Sequence, residues 1–344
     1  MDTRFDRSYR FKCGVDLRNA YVLAPLDMRL ALFDGTVSQN DVAFHQSHAG
    51  SVGMDIVGSA FVQKNGRTRV GALSVADDET IPGLHRLAET IHQQGSRAIL
   101  QLSHAGIRAQ PEFGQGLVGP SERYQVASMS NEQIVRLVTA FAQATKRAYQ
   151  AGFDGIELQG GNRFLLQQFL SPLINHRTDR FGGTLERRLR VPLLVVKTVL
   201  QVARQWPRPF IVGYRLSPEE RQTGGLTVTD TLVLARLLER LGIDYLSLSL
   251  HHYGQGAVTY DQITPIVQLF TRELTDLPVM VAGGIQDTED LRMLNGVALV
   301  ALGRQLILNP EWPQEKRPLN AAETQQRLGQ MASILSETVR HQLC

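Results

Sequence analysis

The stretch SNEQIVRLVTAFAQATKRAYQAGFDGIEL, residues 130–158, holds a helix and a strand in direct succession. Ser130 and Gln133 form a capping-box pattern, in which each side chain satisfies an orphan backbone N–H at the start of the helix. Apolar residues then recur at helical spacing as far as Gln150. Gly152 follows in the position that helix C-caps prefer, and the apolar run 155–158 is typical of a buried strand. This segment therefore predicts a helix that leads into a buried strand.

The same alternation recurs along the chain. Short apolar runs, rich in β-branched residues or Leu, lie at 21–24, 55–62, 97–102, 155–158, 210–216, 245–250, 278–282 and 297–302. Helix-like stretches lie between them at 41–50, 84–94, 131–150, 185–204, 229–241, 263–273 and 288–294. Buried strands that are each followed by a helix predict a parallel sheet covered on its outer face, and eight repeats close naturally into a (β/α)8 TIM barrel. A doubly wound sheet is the alternative, but the Gly-rich turn it usually has after its first strand is missing, since this strand ends Ala24-Pro25-Leu26-Asp27.

Composition narrows the class of protein. The 344 residues are 43% hydrophobic and 20% charged, which allows a large core and is too ordinary for a disordered protein. The formal net charge of +3 is spread out, which argues against nucleic acid as a partner. No run approaches the roughly 18 apolar residues that a membrane-spanning helix needs, and the charged N-terminus lacks the apolar core of a signal peptide. With two cysteines, Cys13 and Cys344, we expect a soluble cytoplasmic protein without a membrane partner.

No linker or change of composition divides the chain. We therefore expect one barrel domain over 1–344, with a core of about 20–315 and a C-terminal helical extension over 316–344. The extra length is expected in two loops, 104–129 after strand three and 160–184 after strand four. In a barrel both loops lie at the C-terminal face, where active sites are built.

Glycines mark the ends of strands seven and eight, as Gly283-Gly284 and Gly303-Arg304. At these two strands many barrels bind a phosphate with backbone N–H groups, and Arg304 can add a planar, bidentate contact to the same anion. The alternative is that these glycines only permit tight turns. Their position at the two expected strands favours a phosphate site.

Polar side chains end three further strands. Arg215 ends an otherwise apolar strand, and because a buried unpaired guanidinium is very costly, it must meet an anionic ligand or a carboxylate such as Glu157 or Asp27. Gln101 and Gln159 end strands three and four and offer amide donors and acceptors to a polar, neutral heterocycle. These positions predict a polar ligand site at the barrel mouth.

The pair His251-His252 raises the question of a metal. Adjacent residues of a strand point to opposite faces, so the two side chains cannot bind one ion there, although a loop would allow it. No third ligand stands at a recognisable metal spacing. The sequence therefore favours a site without metal.

Two segments, GFDGIEL at 152–158 and FLSPLINHRTDRFGG at 169–183, closely resemble the Old Yellow Enzyme family. Supporting matches are APL at 24–26, QLSHAG at 101–106, GPS at 119–121, ALGR at 301–304 and NP at 309–310. The resemblance covers about residues 20–315 in the expected order. It implies an FMN-dependent NAD(P)H oxidoreductase on a (β/α)8 barrel, with FMN as cofactor and NADH or NADPH as hydride donor.

The resemblance also implies roles for individual residues. Pro25, Leu26, Asp27 and Ser59 would border the flavin ring, Gln101 would hydrogen-bond its pyrimidine edge, and Arg215 would lie near flavin N1 and the C2 carbonyl. Gly283, Gly284, Gly303 and Arg304 would hold the FMN phosphate. This supplies the anion that Arg215 and the glycine pairs require.

Several positions depart from the family pattern. The two residues that end strand four and grip the substrate, His-x-x-His or His-x-x-Asn in the family, are Gln159 and Asn162 here, and the proton-donating Tyr aligns with Phe164. Loss of a general acid removes about 10²–10⁴-fold of rate, so reduction of activated alkenes should be weak unless Tyr253 or Tyr124 substitutes from a loop. Asp27 stands where Thr or Cys is common: ionised it would disfavour the reduced flavin anion, and protonated it would donate a hydrogen bond.

These features predict an oxidoreductase that passes a hydride from the nicotinamide to FMN, and then electrons to a flavin, quinone, oxygen or ferric acceptor. The catalytic residues would be Gln159, Asn162, Arg215 and Asp27. One alternative is an ene-reductase with a relocated proton donor, and another is a flavin-poor, non-catalytic partner subunit. A phosphosugar-type isomerase is less favoured, because no paired acid and base stand at the strand ends. A homo- or hetero-oligomer is compatible with the sequence.

Overall fold

Eight parallel strands form a closed barrel in the computed structural model, which describes residues 3–110 and 116–331. The strands are β1 Tyr21–Leu23, β2 Met54–Phe61, β3 Arg97–Ser103, β4 Gly155–Gly160, β5 Ile211–Leu216, β6 Tyr245–Ser249, β7 Val279–Ala282 and β8 Leu299–Leu302. Each strand pairs with its neighbour in sequence, and β8 pairs with β1 through Val300 and Tyr21 to close the cylinder. The predicted (β/α)8 barrel is confirmed.

Helices cover the outer face of the barrel or follow its last strand. They are α1 Gln39–His48, α2 Ile81–Gln93, α3 Asn131–Gln150, α4 Leu165–Leu170, α5 Leu185–Arg188, α6 Arg190–Ala203, α7 Val228–Leu241, α8 Ile266–Glu273, α9 Thr288–Met293, α10 Arg304–Leu308, α11 Trp312–Glu315 and α12 Ala321–Gln330. The capping box at α3 is present as predicted: the hydroxyl of Ser130 accepts from the backbone N–H of Gln133 over 3.2 Å, and the Gln133 side chain accepts from Ser130 over 2.8 Å. The last part of the expected C-terminal extension, 332–344, lies outside the described residues.

Two predicted boundaries were wrong for identifiable reasons. The segment 160–184 is not a continuous loop, since it contains α4; all six residues of that helix are buried, so no amphipathic period reveals it. Helix α8 begins at Ile266 and not at Ile263. The side chain of Asp261 accepts the backbone N–H groups of Ile263 and Thr264, which holds this segment in a turn.

Short strands occur outside the barrel. Leu117–Gly119 pairs with Val126–Ser128 inside the predicted loop 104–129, and residues 111–115 of that loop lie outside the described part. Near the N-terminus, Tyr9–Arg10 pairs with Asp16–Leu17. Phe11, between these two, packs its ring 5.9 Å from that of Tyr245, the first residue of β6. The N-terminal hairpin therefore contacts the barrel at the end opposite to the predicted site.

The barrel interior is apolar at its base and polar towards the C-terminal ends of the strands. Ile99, Met280 and Leu299 point inward and are fully buried, while Gln101, Gln159 and Arg215 lie further along their strands. None of the helices in the described ranges is long and apolar enough to cross a membrane.

Candidate functional site

Strand register brings the predicted polar residues together inside the barrel. Gln101 of β3 stands beside Glu157 of β4, and Gln159 of β4 stands beside Arg215 of β5. Arg215 in turn stands beside Ser247 of β6. Register partners in a parallel sheet point to the same face, so all of these side chains share the barrel lumen.

A chain of hydrogen bonds joins the three side chains of β3 and β4. The amide of Gln159 donates to Oε1 of Gln101 over 3.2 Å, and the amide of Gln101 donates to Oε1 of Glu157 over 2.6 Å. All three residues are buried. Burial raises the pKa of Glu157, whereas Arg215, Gln101 and Tyr245 act in the opposite direction. Glu157 is thus a buried acid whose charge depends on its neighbours.

Arg215 has unused hydrogen-bonding capacity. Its Nη2 donates to the hydroxyl of Ser249 over 3.0 Å, but Nε and Nη1 are buried and bond to no residue within the described ranges. Asp27 is not the partner of Arg215, because its carboxylate pairs with Arg69 over 3.4 Å. Glu157 attracts the guanidinium but forms no hydrogen bond with it in this part of the chain. Of the two alternatives raised by the sequence, the anionic ligand fits these unsatisfied N–H groups better than a structural ion pair.

Asn162 connects to Arg215 through one hydroxyl. The Ser249 hydroxyl lies 3.1 Å from Oδ1 of Asn162, and the backbone N–H of Asn162 donates to the hydroxyl of Ser217 over 2.7 Å. Asn162 and Arg163 both adopt left-handed backbone conformations, with φ of 54° and 62°. Phe164 follows at the N-cap of α4. Of the two predicted substrate-facing positions, 159 therefore lies in β4 beside β5, and 162 lies in the loop after β4, where it contacts Ser217 and Ser249.

The three glycines at the ends of β7 and β8 border one cavity of about 180 Å³. It is lined by Gly283, Gly284, Ile285, Gln286, Ala301, Leu302, Gly303, Arg304, Gln305 and Leu308. A side chain at Gly283, where φ is 151°, would approach the carbonyl oxygen of Leu250 to 2.5 Å, so that position requires glycine for the turn itself. At Gly303 a Cβ would meet nothing nearer than 3.5 Å, so packing does not exclude a side chain there.

Arg304 completes the charge of this cavity. Its side chain is exposed and makes no ion pair with any carboxylate in the described ranges. The indole of Trp312 donates to the carbonyl of Gln286 over 2.9 Å and so fixes the loop after β7. Backbone N–H groups, a free guanidinium and an open volume together suit a phosphate.

The residues predicted to border the flavin ring lie around a neighbouring cavity. Leu26, Asp27 and Ser59 line it, and Pro25 precedes them in the same loop after β1. The hydroxyl of Ser59 accepts from that of Ser103 over 3.0 Å. The orphaned N–H groups of Arg215 and the cavity beside Arg304 fit the polar ring edge and the phosphate of an FMN molecule, whereas the cavity beside Asp27, of about 20 Å³, does not by itself enclose a ring.

The tyrosines considered as relocated proton donors are placed unfavourably. The hydroxyl of Tyr253 donates to Asp290 over 2.6 Å, and burial together with that carboxylate raises the pKa of Tyr253 to about 12. Tyr124 is 89% exposed. His252 stacks on the ring of Tyr253 at 4.5 Å, and its Nδ1 accepts from the backbone of Gly254, so the His252 side chain contacts its own loop.

Sequence reasoning missed several residues of the site. Glu157 was considered only as an ion-pair partner, and Ser217 and Ser249 were not considered. The inward period of β6, which places Ser247 and Ser249 on the same face as Tyr245, is the signal that would have indicated Ser249. Ser217 lies beyond the end of β5, where no period applies.

Comparison with known proteins decides the family. The family model described as the NADH:flavin oxidoreductase / NADH oxidase family matches residues 10–320. The chain belongs to this family. The predicted Old Yellow Enzyme resemblance is therefore confirmed, as are an FMN-dependent oxidoreductase and the pairing of FMN with a nicotinamide donor.

Individual relatives of this flavin oxidoreductase differ in length. The chain is 37% identical over 316 residues to a probable NADH-dependent flavin oxidoreductase of Bacillus subtilis. The aligned region covers 88% of this chain and 85% of that protein. It is 38% identical over 320 residues to an NADH:acrylate oxidoreductase of Vibrio harveyi, but spans only 32% of that protein's length. Among solved structures, morphinone reductase superposes with a TM-score of 0.77 at 25% identity over 94% of each chain.

Proposed function

We propose that this enzyme oxidises NADH or NADPH with FMN held across the barrel mouth, and delivers the electrons to an acceptor that takes no proton from a side chain. Acceptors of this class are a second flavin, a quinone, oxygen or a ferric complex. The observation that carries the proposal is the buried guanidinium of Arg215, with two N–H groups that bond to no described residue. FMN, when bound, accepts a hydride and releases electrons one or two at a time.

Different groups of residues would bind the different parts of FMN. Gly283, Gly284, Gly303 and Arg304 would hold the phosphate of FMN, while Leu26, Asp27 and Ser59 would border its ring system. Gln101, oriented by Glu157 and Gln159, would present an amide to the polar edge of the ring. Arg215 would place positive charge where a reduced flavin is negative, which favours reduction because a fixed cation needs no reorganisation.

The acceptor class follows from the side chains that are predicted to face the substrate. Gln159 and Asn162 offer amide groups, which orient a ligand by hydrogen bonds but have no proton acidic enough to be transferred to it at neutral pH. Phe164 offers none, and Tyr253 is bonded to Asp290. An alkene needs a proton together with the hydride, so these residues support electron acceptors over alkenes.

The acrylate oxidoreductase relative does not oppose this proposal. The name NADH:acrylate oxidoreductase belongs to a protein about three times as long as the part that this chain matches. For the present chain, reduction of such an alkene remains the alternative that experiment must separate from electron transfer to other acceptors.

The test is anaerobic single-turnover kinetics after an absorption spectrum recorded with and without added FMN. We expect a yellow protein that NADH or NADPH bleaches, and that a quinone or a ferric complex re-oxidises about 10²–10⁴ times faster than cyclohexenone does. Re-oxidation by cyclohexenone at the quinone rate would instead identify an ene-reductase. A protein that stays colourless with added FMN would reject the proposal altogether.

A further inference from the structure

Four arginines surround the open side of the predicted flavin site, and we call them the arginine rim: Arg29, Arg69, Arg108 and Arg163. They come from four different loops, which follow β1, β2, β3 and β4 in turn. The rim thus belongs to the face of the barrel that a ligand must pass to reach the flavin. The activity proposed above does not use it.

Contacts between the loops bring the rim together around one carboxylate. Arg69 lies 3.4 Å from Asp27, and Asp27 and Arg29 line the same cavity. Nε of Arg29 is buried and bonds to no described residue. Asp41 also lines this cavity, but its carboxylate accepts from the backbone N–H of Ser38 over 2.8 Å as the cap of α1. Asp27 is therefore the exposed acid that faces these cations.

The other half of the rim is held by the loop after β4. The Arg108 guanidinium lies 5.6 Å from the centre of the Phe164 ring and donates to the carbonyl oxygen of Asn162. Arg163 donates to the side chain of Gln222 over 3.3 Å from its left-handed backbone position. Burial lowers the pKa of Arg108 most, the charges of Arg69 and Arg163 lower it further, and Asp27 raises it, so Arg69, Arg163 and Asp27 lie within electrostatic range of Arg108.

The positive charges of the arginine rim make its assembly unfavourable. Arginines near one another repel, and a single carboxylate cannot neutralise four guanidinium groups. A left-handed conformation at an arginine adds a cost of about 1 kcal/mol. Arrangements of this kind persist at functional sites, where a ligand offsets the repulsion. Guanidinium groups bind phosphates and carboxylates in a planar, bidentate manner.

We propose that the arginine rim binds an anionic group, phosphate or carboxylate, on the compound that lies over the flavin. This inference rests on the proposed function, since it assigns the charge of that reaction's ligand. The anion has two possible sources: the diphosphate of the nicotinamide donor, or an acidic group of the electron acceptor. Asp27 then holds Arg69 in place and disfavours a ligand whose negative charge would lie directly above it.

The first arm of the test concerns the donor. Arg108→Gln and Arg163→Gln, singly and together, are compared with Arg86→Gln, which removes an equal charge from the exposed face of α2. The dissociation constant of the non-reducing analogue tetrahydroNAD is measured by titration of the oxidised protein. If the rim binds the diphosphate, each rim variant weakens this binding about tenfold. Flavin reduction by a benzyl dihydronicotinamide, which carries no phosphate, stays unchanged.

The second arm concerns the acceptor, with protein that has been reduced beforehand. Re-oxidation by a sulfonated naphthoquinone is compared with re-oxidation by the same quinone without the sulfonate. If the rim binds an acidic group of the acceptor, the rim variants lose about tenfold for the sulfonated quinone alone. Added salt lowers the same rate in the wild type, because it screens exposed charges.

Two outcomes separate this inference from the proposed function. If the rim variants match Arg86→Gln in both arms while the wild type still reduces its flavin, the rim proposal is overturned and the enzyme activity stands. If the wild type shows no flavin reduction by either donor, the proposed function itself fails. Titration of tetrahydroNAD gives a binding readout in either case.

Discussion

The side-chain amide of Gln101 donates to the buried carboxylate of Glu157 over 2.6 Å, inside the barrel and below its mouth. This bond fixes which end of the Gln101 amide carries the oxygen. Gln159 donates to that same oxygen, so the two amides form an ordered row above the acid. Glu157 therefore acts as a positioning residue for the polar edge of the cofactor site.

The first prediction concerns Glu157→Gln. A glutamine at position 157 presents either its oxygen or its NH₂ group to Gln101, so the orientation of the Gln101 amide is no longer fixed, and we expect FMN affinity to fall about tenfold. Fluorescence titration of the apoprotein with FMN measures this. Asp154→Asn provides the control, because Asp154 is also buried but bonds to His92 at 2.6 Å just before the start of β4, at the opposite end of the barrel. Equal losses in the two variants would show that Glu157 acts only through general stability.

The second prediction concerns the coupling between Arg215 and Glu157. Arg215→Met leaves a buried carboxylate without its neighbouring cation, and we expect the free energy of unfolding of the apoprotein to fall by about 3 kcal/mol. Adding Glu157→Gln removes that charge, so the double variant should regain part of the loss. Urea unfolding of the wild type, both single variants and the double variant measures the coupling. Strictly additive effects would mean that the two charges do not interact.

A third prediction tests the missing proton donor. Phe164→Tyr places a phenol at the end of the loop after β4, beneath the Arg108 guanidinium, whose charge favours release of a proton. We expect re-oxidation of the reduced enzyme by cyclohexenone to accelerate about 10²-fold. Reduction by NADH should not change, since it needs no such donor.

Tyr253→Phe is the matched control for that experiment, because it removes a phenol that the structure commits to Asp290. Its cyclohexenone rate should equal that of the wild type. A large loss of cyclohexenone activity in Tyr253→Phe would instead make Tyr253 the relocated acid and restore the ene-reductase alternative.

The fourth prediction concerns pH. His104 is buried, and burial lowers the pKa of its imidazole to about 3. In the unfolded chain a histidine pKa is about 6.5, so between these values the unfolded state binds the extra proton and stability falls as pH falls. From pH 7 to pH 5 this costs about 2 kcal/mol. Folded His104 should remain neutral, with Nε2–H donating to Asn65 at 3.2 Å.

Urea unfolding at pH 7 and pH 5 measures this slope in the wild type and in His104→Gln. The variant should be less sensitive to pH by the same amount, because all other titrating groups are common to both proteins. Identical slopes would contradict a neutral buried His104.

The architecture was predictable because it rests on repetition. Each barrel strand contributes a short apolar run, and a capped helix such as α3 marks its own ends, so eight repeats leave few alternatives. Helix α4 was not predicted from the sequence, because all of its residues are buried and no amphipathic period marks it. The start of α8 was predicted too early, because the side chain of Asp261 holds the next residues in a turn although their apolar pattern suggests a helix.

The candidate site was predictable where a residue type is unusual for its place. A charged Arg215 at the end of an apolar strand must have a polar partner, and Gly283-Gly284 after β7 together with Gly303-Arg304 after β8 favours a phosphate site. The arginine rim could not be inferred in this way, since its members are ordinary surface residues in separate loops. Only the folded chain shows that Arg69 reaches Asp27 and that Arg108 reaches Asn162.

Ser249 gives the mouth a fixed polarity. Arg215 donates to its oxygen, so the hydroxyl proton turns towards the carbonyl of Asn162, whose remaining group is an NH₂. Through the Ser249 hydroxyl, Arg215 therefore leaves the side chain of Asn162 with only its NH₂ group to offer to a ligand, as a hydrogen-bond donor. Ligands with accessible lone pairs, such as carbonyls and oxyanions, can accept this hydrogen bond. Alcohols or amines that need an acceptor find none on the Asn162 side chain.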